Sequence, residues 1–221
     1  MAEKGEQRSK GRPKDQEKRT AILVAARELF LSEGFALVSM DAIAERAGVS
    51  KATVYSHFAD KNFLFRAVLS AETSDYEAPP DTVAICTRKE LRLRLIAFGS
   101  SLLGVLTRPG VLELGRLLVN EAHHHPDQAA DFFARGPGAT HRRLADLLKT
   151  ANDCGLLACD NPELAADQLL SMWIGQRHLR QQLGLCPPPT PPEVARHVEA
   201  CVEVILSAFA CTRRNKKARK P

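Results

Sequence analysis

The stretch SMDAIAERAGVSKATVYSHFADK, Ser39 to Lys61, constrains the fold more than any other part of the chain, because it encodes two short helices joined by a tight turn. Ser39 supplies an N-cap oxygen, Asp41 puts an acid at the positive helix end, and Ala44 and Ala47 permit close packing around Ile43. Gly48 ends that helix. Ser50 offers a second cap, and Val49 before it is placed to pack on Val54 as a hydrophobic staple, fixing the entry angle of a helix from Lys51 to Phe58. Helical spacing turns Val54 and Phe58 inward and leaves Lys51, Thr53 and Ser56 outward, with Tyr55 and His57 flanking the buried stripe. A narrow ridge of donors suits phosphates and base edges, so the pair reads as a helix-turn-helix. Two ordinary bundle helices would share the pattern, but the glycine turn, the capped second helix and the basic flanks Lys51 and Lys61 together favour DNA.

The rest of the chain is organised around this pair. Ile22, Ala25, Ala26, Leu29 and Phe30 repeat at helical spacing between Glu17 and Glu33, giving a supporting helix that stops at Gly34. Residues 17–59 are thus expected to form a DNA-binding domain, preceded by a flexible basic arm over residues 1–16. In that arm Arg12 and Lys14 are placed to meet phosphates or follow a minor groove. Asp60 can cap a linker helix over residues 60–77, whose first turn carries Lys61. A cation there is unfavourable unless something rewards it, and a phosphate at the helix amides is the expected reward. The break EAPPDT, residues 77–82, opens a second domain over residues 78–211, and residues 212–221 form a basic tail.

The net charge of +5 is unevenly spread: residues 1–20 hold seven bases and four acids, residues 212–221 hold six bases and no acid, and the body holds 18 bases against 22 acids. Positive charge is therefore terminal, which fits local contact with an anionic polymer better than a uniformly basic coat. There is no uninterrupted apolar run of about 18 residues and no secretion signal, so a cytoplasmic location without a membrane partner is expected. The six cysteines are dispersed, with no CxxC pair. His123, His124, His125 and His141 lack ligand spacing, since adjacent histidines on a helix point apart and HExxH is absent, so neither a metal nor a cofactor is expected. With no nucleophile elbow, phosphate-binding glycine loop or paired carboxylates, an enzyme is not expected.

Beyond the break, amphipathic segments follow one another: 87–106, 109–119, 127–134 with GPG after it, 141–154, 162–184 and 193–211. Such helices either enclose an apolar cavity or fill their own core, and periodicity is the same in both. Phe98, Leu102, Leu117, His123, His141, Leu144 and Trp173 are the candidate ligand-binding residues. Arg88, Lys89, Arg92 and Arg94 read as a solvated face. The last two helices, separated by CPPPTPP, can exchange apolar faces with a second copy through Leu169, Trp173, Val198, Val202, Ile205 and Phe209. A twofold axis would set two reading helices on a near-palindromic site.

The segment Lys18 to Phe65, above all LFLSEGFALVSMDAIAERAGVSKATVYSHFADKNFLF, resembles the N-terminal DNA-binding domain of the TetR family of bacterial transcriptional regulators. The resemblance implies an all-α dimer, with a three-helix DNA-binding domain followed by a helical ligand-binding and dimerisation domain. It implies that Ser39 opens the supporting helix near the phosphates, that Ser50, Lys51, Ala52 and Thr53 approach the groove, and that Tyr55, His57 and Lys61 grip the backbone. Ser56 departs from the bulky aromatic common at its position, and Ala52 offers only a methyl contact. The stretch Arg116 to Gly155 is similar to members with hydrophobic or drug-like ligands, departing where His125 replaces the usual aromatic before Pro126. The expected function is a homodimeric repressor of a double-stranded operator, released by a small, hydrophobic effector. An activator, or a ligand-independent nucleoid-associated protein, is the alternative.

Overall fold

A computed structural model describes residues 12–73 and 85–210, whose regular elements are all α-helices. Most of the basic arm, the EAPPDT break and the basic tail lie outside the described residues. The chain divides into two compact units, with the division between Glu72 and Thr73.

The first unit contains α1 (Arg12–Glu33), α2 (Met40–Arg46), α3 (Lys51–His57) and α4 (Lys61–Glu72). Helix α1 starts earlier than the apolar repeat indicates, since Pro13 is tolerated in a first turn. Arg12 and Lys14 therefore sit on helix, not on a flexible arm. Ile22, Ala26 and Phe30 of α1 are fully buried, as are Ile43, Val54 and Leu64 from the other three helices. Phe30, Phe35 and Phe65 form a triangle with centroids 5.1–5.4 Å apart, the Phe30–Phe65 pair edge to face, an arrangement that aromatic quadrupoles favour.

The second unit contains α5 (Arg88–Leu106), α6 (Pro109–Glu121), α7 (Pro126–Arg135), α8 (Pro137–Asp153), α9 (Pro162–Gln182) and α10 (Pro191–Ala208). Five of its helices begin with proline, the residue whose missing N–H costs nothing at a first helical position. GPG does not separate two helices as the sequence suggests. Gly136 ends α7 and starts α8 at once, so α8 begins four residues before His141. The core joins α5, α8, α9 and α10 around Leu95, Phe98, Leu144, Leu148, Leu169 and Trp173. Phe98 and Trp173 stack with centroids 6.0 Å apart. Their neighbour must be small: a Cβ at Gly99 would lie 2.6 Å from Trp173 Cε2 and 2.8 Å from Val198 Cγ1.

Arg88 is exposed and Arg92 half-buried, but both also reach across to α10. Arg88 donates to the Leu206 carbonyl, and Arg92 pairs with Glu199 and Glu203, fastening α5 to α10. That fixed acid pair holds the Arg92 guanidinium pKa above its ordinary value.

Candidate nucleic-acid interface

Helix α2 is set by its ends. Ser39 Oγ accepts from the Ala42 N–H at 3.1 Å. At the other end Gly48 turns left-handed (φ 66°), and the Val49 N–H returns to the Ala44 carbonyl at 3.0 Å, a closed Schellman turn. Ser50 Oγ then accepts from the Thr53 N–H at 3.2 Å and caps α3. Two polar side chains and one glycine thus fix the angle between the helices.

That angle exposes one ridge. Lys51, Ala52, Tyr55 and Ser56 are exposed, and Thr53 is half-buried. The ridge is internally ordered, with Ser50 Oγ and Thr53 Oγ1 2.8 Å apart and Ser56 Oγ donating to the Thr53 carbonyl at 2.7 Å. Lys51 Nζ reaches the Asp41 carboxylate at 2.8 Å, and this hydrogen bond, with the carboxylate charge behind it, raises the lysine pKa. The partnership sets the cation at the start of α3. Asp41 is a member of the site that sequence reasoning had used only as a helix-end acid.

Two candidates for the DNA backbone take positions different from those the sequence suggests. The His57 side chain is only 11% exposed and turns toward Asp15 of α1, with Nε2 3.2 Å from Oδ1. Lys61 sits half-buried in the first turn of α4, where its ammonium donates to the carbonyls of Phe35, Ala36 and Val38 at 2.8, 3.1 and 2.9 Å. It also lies 4.6 Å from the Phe35 ring centroid. The reward expected from a phosphate is met inside the domain: the cation ties α4 to the loop between α1 and α2. No short motif signals this, because the acceptors lie 23 to 26 residues away.

In the second unit, four of the candidate ligand residues, Phe98, Leu102, Leu144 and Trp173, meet in the packed core. Phe98, Leu102 and Leu144 are buried among other core side chains, Leu117 is half-buried and His123 is exposed. His141 links α8 to α9 through the Glu163 carbonyl at 3.2 Å and Asp167 at 3.3 Å. The candidate dimer residues are corrected too. Leu169, Trp173, Val198, Val202 and Ile205 are at most 2% exposed and packed within a single chain, so they have no surface left for a second copy. Phe209 packs against the same core. The outward apolar residues of α9 and α10 are Leu164, Leu179 and Val204. Among the described residues no cluster of ligating side chains could hold a metal ion, and no single helix is long and apolar enough to cross a membrane.

Residues 22–68 match the family described as bacterial regulatory proteins of the tetR family, and residues 93–211 match the C-terminal domain of AefR-like transcriptional repressors. An uncharacterized HTH-type transcriptional regulator of Bacillus subtilis, YdeS, is 42% identical over 76 residues, which are 34% of this chain and 38% of that protein. The transcriptional activator FasR of Mycolicibacterium smegmatis is 46% identical over 65 residues, 29% of each chain. The chain thus aligns with only about a third of these two relatives' length. Solved structures align along nearly their whole length. The flavonoid-responsive regulator FrrA is 34% identical, with a TM-score of 0.70 over 88% of this chain and 98% of that one. A TetR family regulator from Pseudomonas syringae is 28% identical, with a TM-score of 0.68 over 89% and 98%. With both units matched and the helix-turn-helix geometry in place, the chain belongs to the TetR family of bacterial transcriptional regulators.

Proposed function

We propose that the protein is a homodimeric repressor that reads a near-palindromic operator through α3 and leaves it when a small molecule binds the second unit. The observation that carries the reading is the ridge of α3, which stands clear of the domain core while its polar groups are pre-ordered by Ser50 and Asp41. Lys51, Ala52, Thr53 and Ser56 face the groove, and Ser39, Ser50 and Tyr55 meet phosphates beside it. Arg12 and Lys14 add charge from the start of α1. His57 and Lys61 act behind this surface by holding α1, the α1–α2 loop and α4 in register. Cytoplasmic DNA is the partner.

Repression is favoured over activation because the AefR-like repressor match covers residues 93–211, whereas the match to the activator FasR covers 29% of this chain. Ligand response is supported by the likeness to FrrA, whose name records response to flavonoids. The outward faces of α9 and α10 around Leu164, Leu179 and Val204 supply an apolar surface for a second copy. A ligand acting there would alter the spacing of the two reading helices through residues 60 to about 75, shifting the population that fits the operator.

Fluorescence anisotropy on a duplex carrying the protein's own promoter tests this reading. Affinity should exceed that for a scrambled duplex by about a thousandfold or more at physiological salt. Equal affinity for the two duplexes would replace the regulator by a nucleoid-associated protein. A single-chain mass at sedimentation equilibrium would exclude the dimer.

A further inference from the structure

Helix α9 is broken at Gly175, whose φ of 52° and ψ of −171° leave the helical region. Just before the break, the carbonyls of Met172 and Trp173 each lie 3.0 Å from Nε2 of His197 on α10. A ring nitrogen facing two acceptors must carry the proton, so His197 braces the break as a donor. Beside it lies a cavity of about 170 Å³, whose lining includes Leu103 of α5 and Thr107 just after it, Trp173, His178 and Gln181 of α9, and Val194 of α10.

The wall mixes apolar side chains with Gln176, Arg177, Glu193 and His197, and three of its residues carry a buried polar atom that has no hydrogen-bond partner among the described residues: Trp173 Nε1, His178 Nδ1 and Gln181 Nε2. Trp173 is 1% exposed and Gln181 3%. An indole N–H and an amide NH₂ can only donate, and a buried donor left without an acceptor carries its full desolvation cost. Burial also holds the His178 ring pKa below its ordinary value, which favours the neutral ring. The charges at the rim, Arg177 and Glu193, lie 3.5 Å apart and face each other. The site therefore offers donors and apolar side chains but no net charge.

We propose that this cavity is the effector site, and that it takes an uncharged molecule about the size of one aromatic ring carrying two acceptor oxygens, one for Trp173 Nε1 and one for Gln181 Nε2. The proposal rests on the ligand-released reading above and gives it a chemistry. The size follows from the volume, since an apolar cavity of about 150 Å³ holds benzene. Trp173 precedes the Gly175 break, and His178 and Gln181 follow it. One molecule bonded to both sides sets the angle between the two halves of α9, and so biases a two-state element.

Trp173 is the only tryptophan in the chain and reports on the site directly. The full-length protein is titrated with 4-hydroxyacetophenone and with toluene, the same ring without acceptors, by tryptophan emission and calorimetry. Saturable binding of the ketone at least about tenfold tighter than toluene is expected, and Gln181→Leu should shrink that preference, leaving only the bond to Trp173. Gln181→Met serves if the leucine variant fails to fold. Absence of binding, equal affinity for both ligands, or an undiminished preference in the folded variant overturns the site. Anisotropy on the promoter duplex runs in parallel. Ketone binding without DNA release keeps the site and sinks the ligand-released reading, while release that ignores Gln181 keeps that reading and sinks the site.

Discussion

In the first unit the residues that shape the functional surface sit at helix ends and act over a few positions: Ser39 on Ala42, Ser50 on Thr53, Gly48 between them. In the second unit the decisive contacts run between helices far apart in sequence, Trp173 against Phe98 and Gly99, Arg92 against Glu199 and Glu203. Short helices contribute little from propensity and must be held by caps and turns, whereas helices of 17 to 21 residues such as α5, α8 and α9 are held by the faces they bury. A surface that must present α3 at a fixed angle is thus built from local hydrogen bonds. The second unit is built instead from packing, interrupted at one break in α9.

Lys61 tests this contrast most severely, because it is the long-range contact on which the local architecture of the first unit leans. Lys61→Met keeps the aliphatic stem and removes the ammonium from three carbonyls. The first unit should lose about 3 kcal/mol, the scale of charge-assisted hydrogen bonds left unmade. Urea titration followed by Tyr55 and Phe signals checks it. If stability is unchanged and only the salt dependence of DNA binding falls, by about one phosphate, then Lys61 meets DNA and not the loop.

Gly99→Ala probes the packing side. The new Cβ would press on Trp173 and Val198, and overpacking of this kind costs about 1–3 kcal/mol. Unfolding of the second unit, read by Trp173 emission, should shift to lower denaturant while affinity of the promoter duplex in the absence of ligand stays within about twofold, because sites without shared partners are nearly additive. A large loss of DNA affinity would show the two codes to be less separate than their contacts suggest.

These contrasts explain what could be read from the chain. Ser39, Gly48, Ser50 and Asp60 were legible because their partners lie within a few residues. The exposed ridge followed, since Val54 and Phe58 fix which face turns inward. The intradomain partners of Lys61 and His57 were not legible, because nothing local to them names Phe35, Val38 or Asp15. Leu169, Val198 and Val202 were legible as apolar stripe, but a stripe buried within one chain and a stripe buried against a copy have the same period. Gly175 did leave a signal, a glycine inside an otherwise continuous helical pattern, and such a glycine often has a packing or functional reason. The thr-x-x-glu spacings at Thr87 and Thr190 were also present in the sequence, and they place the starts of α5 and α10.

The smallest expected effect lies at a helix start where the second unit uses the first unit's local code. Glu90 Oε2 accepts from the N–H groups of Cys86 and Thr87, each at 2.9 Å, while the Glu90 N–H returns to Thr87 Oγ1 at 3.2 Å. The Cys86 amide first, then Thr87, hold the carboxyl pKa below its ordinary 4.5. A depressed carboxyl contributes stability that is fully present above the unfolded pKa and is lost as pH falls through the folded value. Glu90→Gln keeps an acceptor oxygen but cannot titrate. Wild type should therefore melt higher near neutrality, and its lead should shrink between about pH 5 and pH 3, with Trp173 emission as the probe. The group is solvent-exposed, so the lead should be small beside the loss in Gly99→Ala. A lead as large as that loss would mean that end-capping, and not the buried faces, holds α5 in place, and the division between the two units would have to be redrawn.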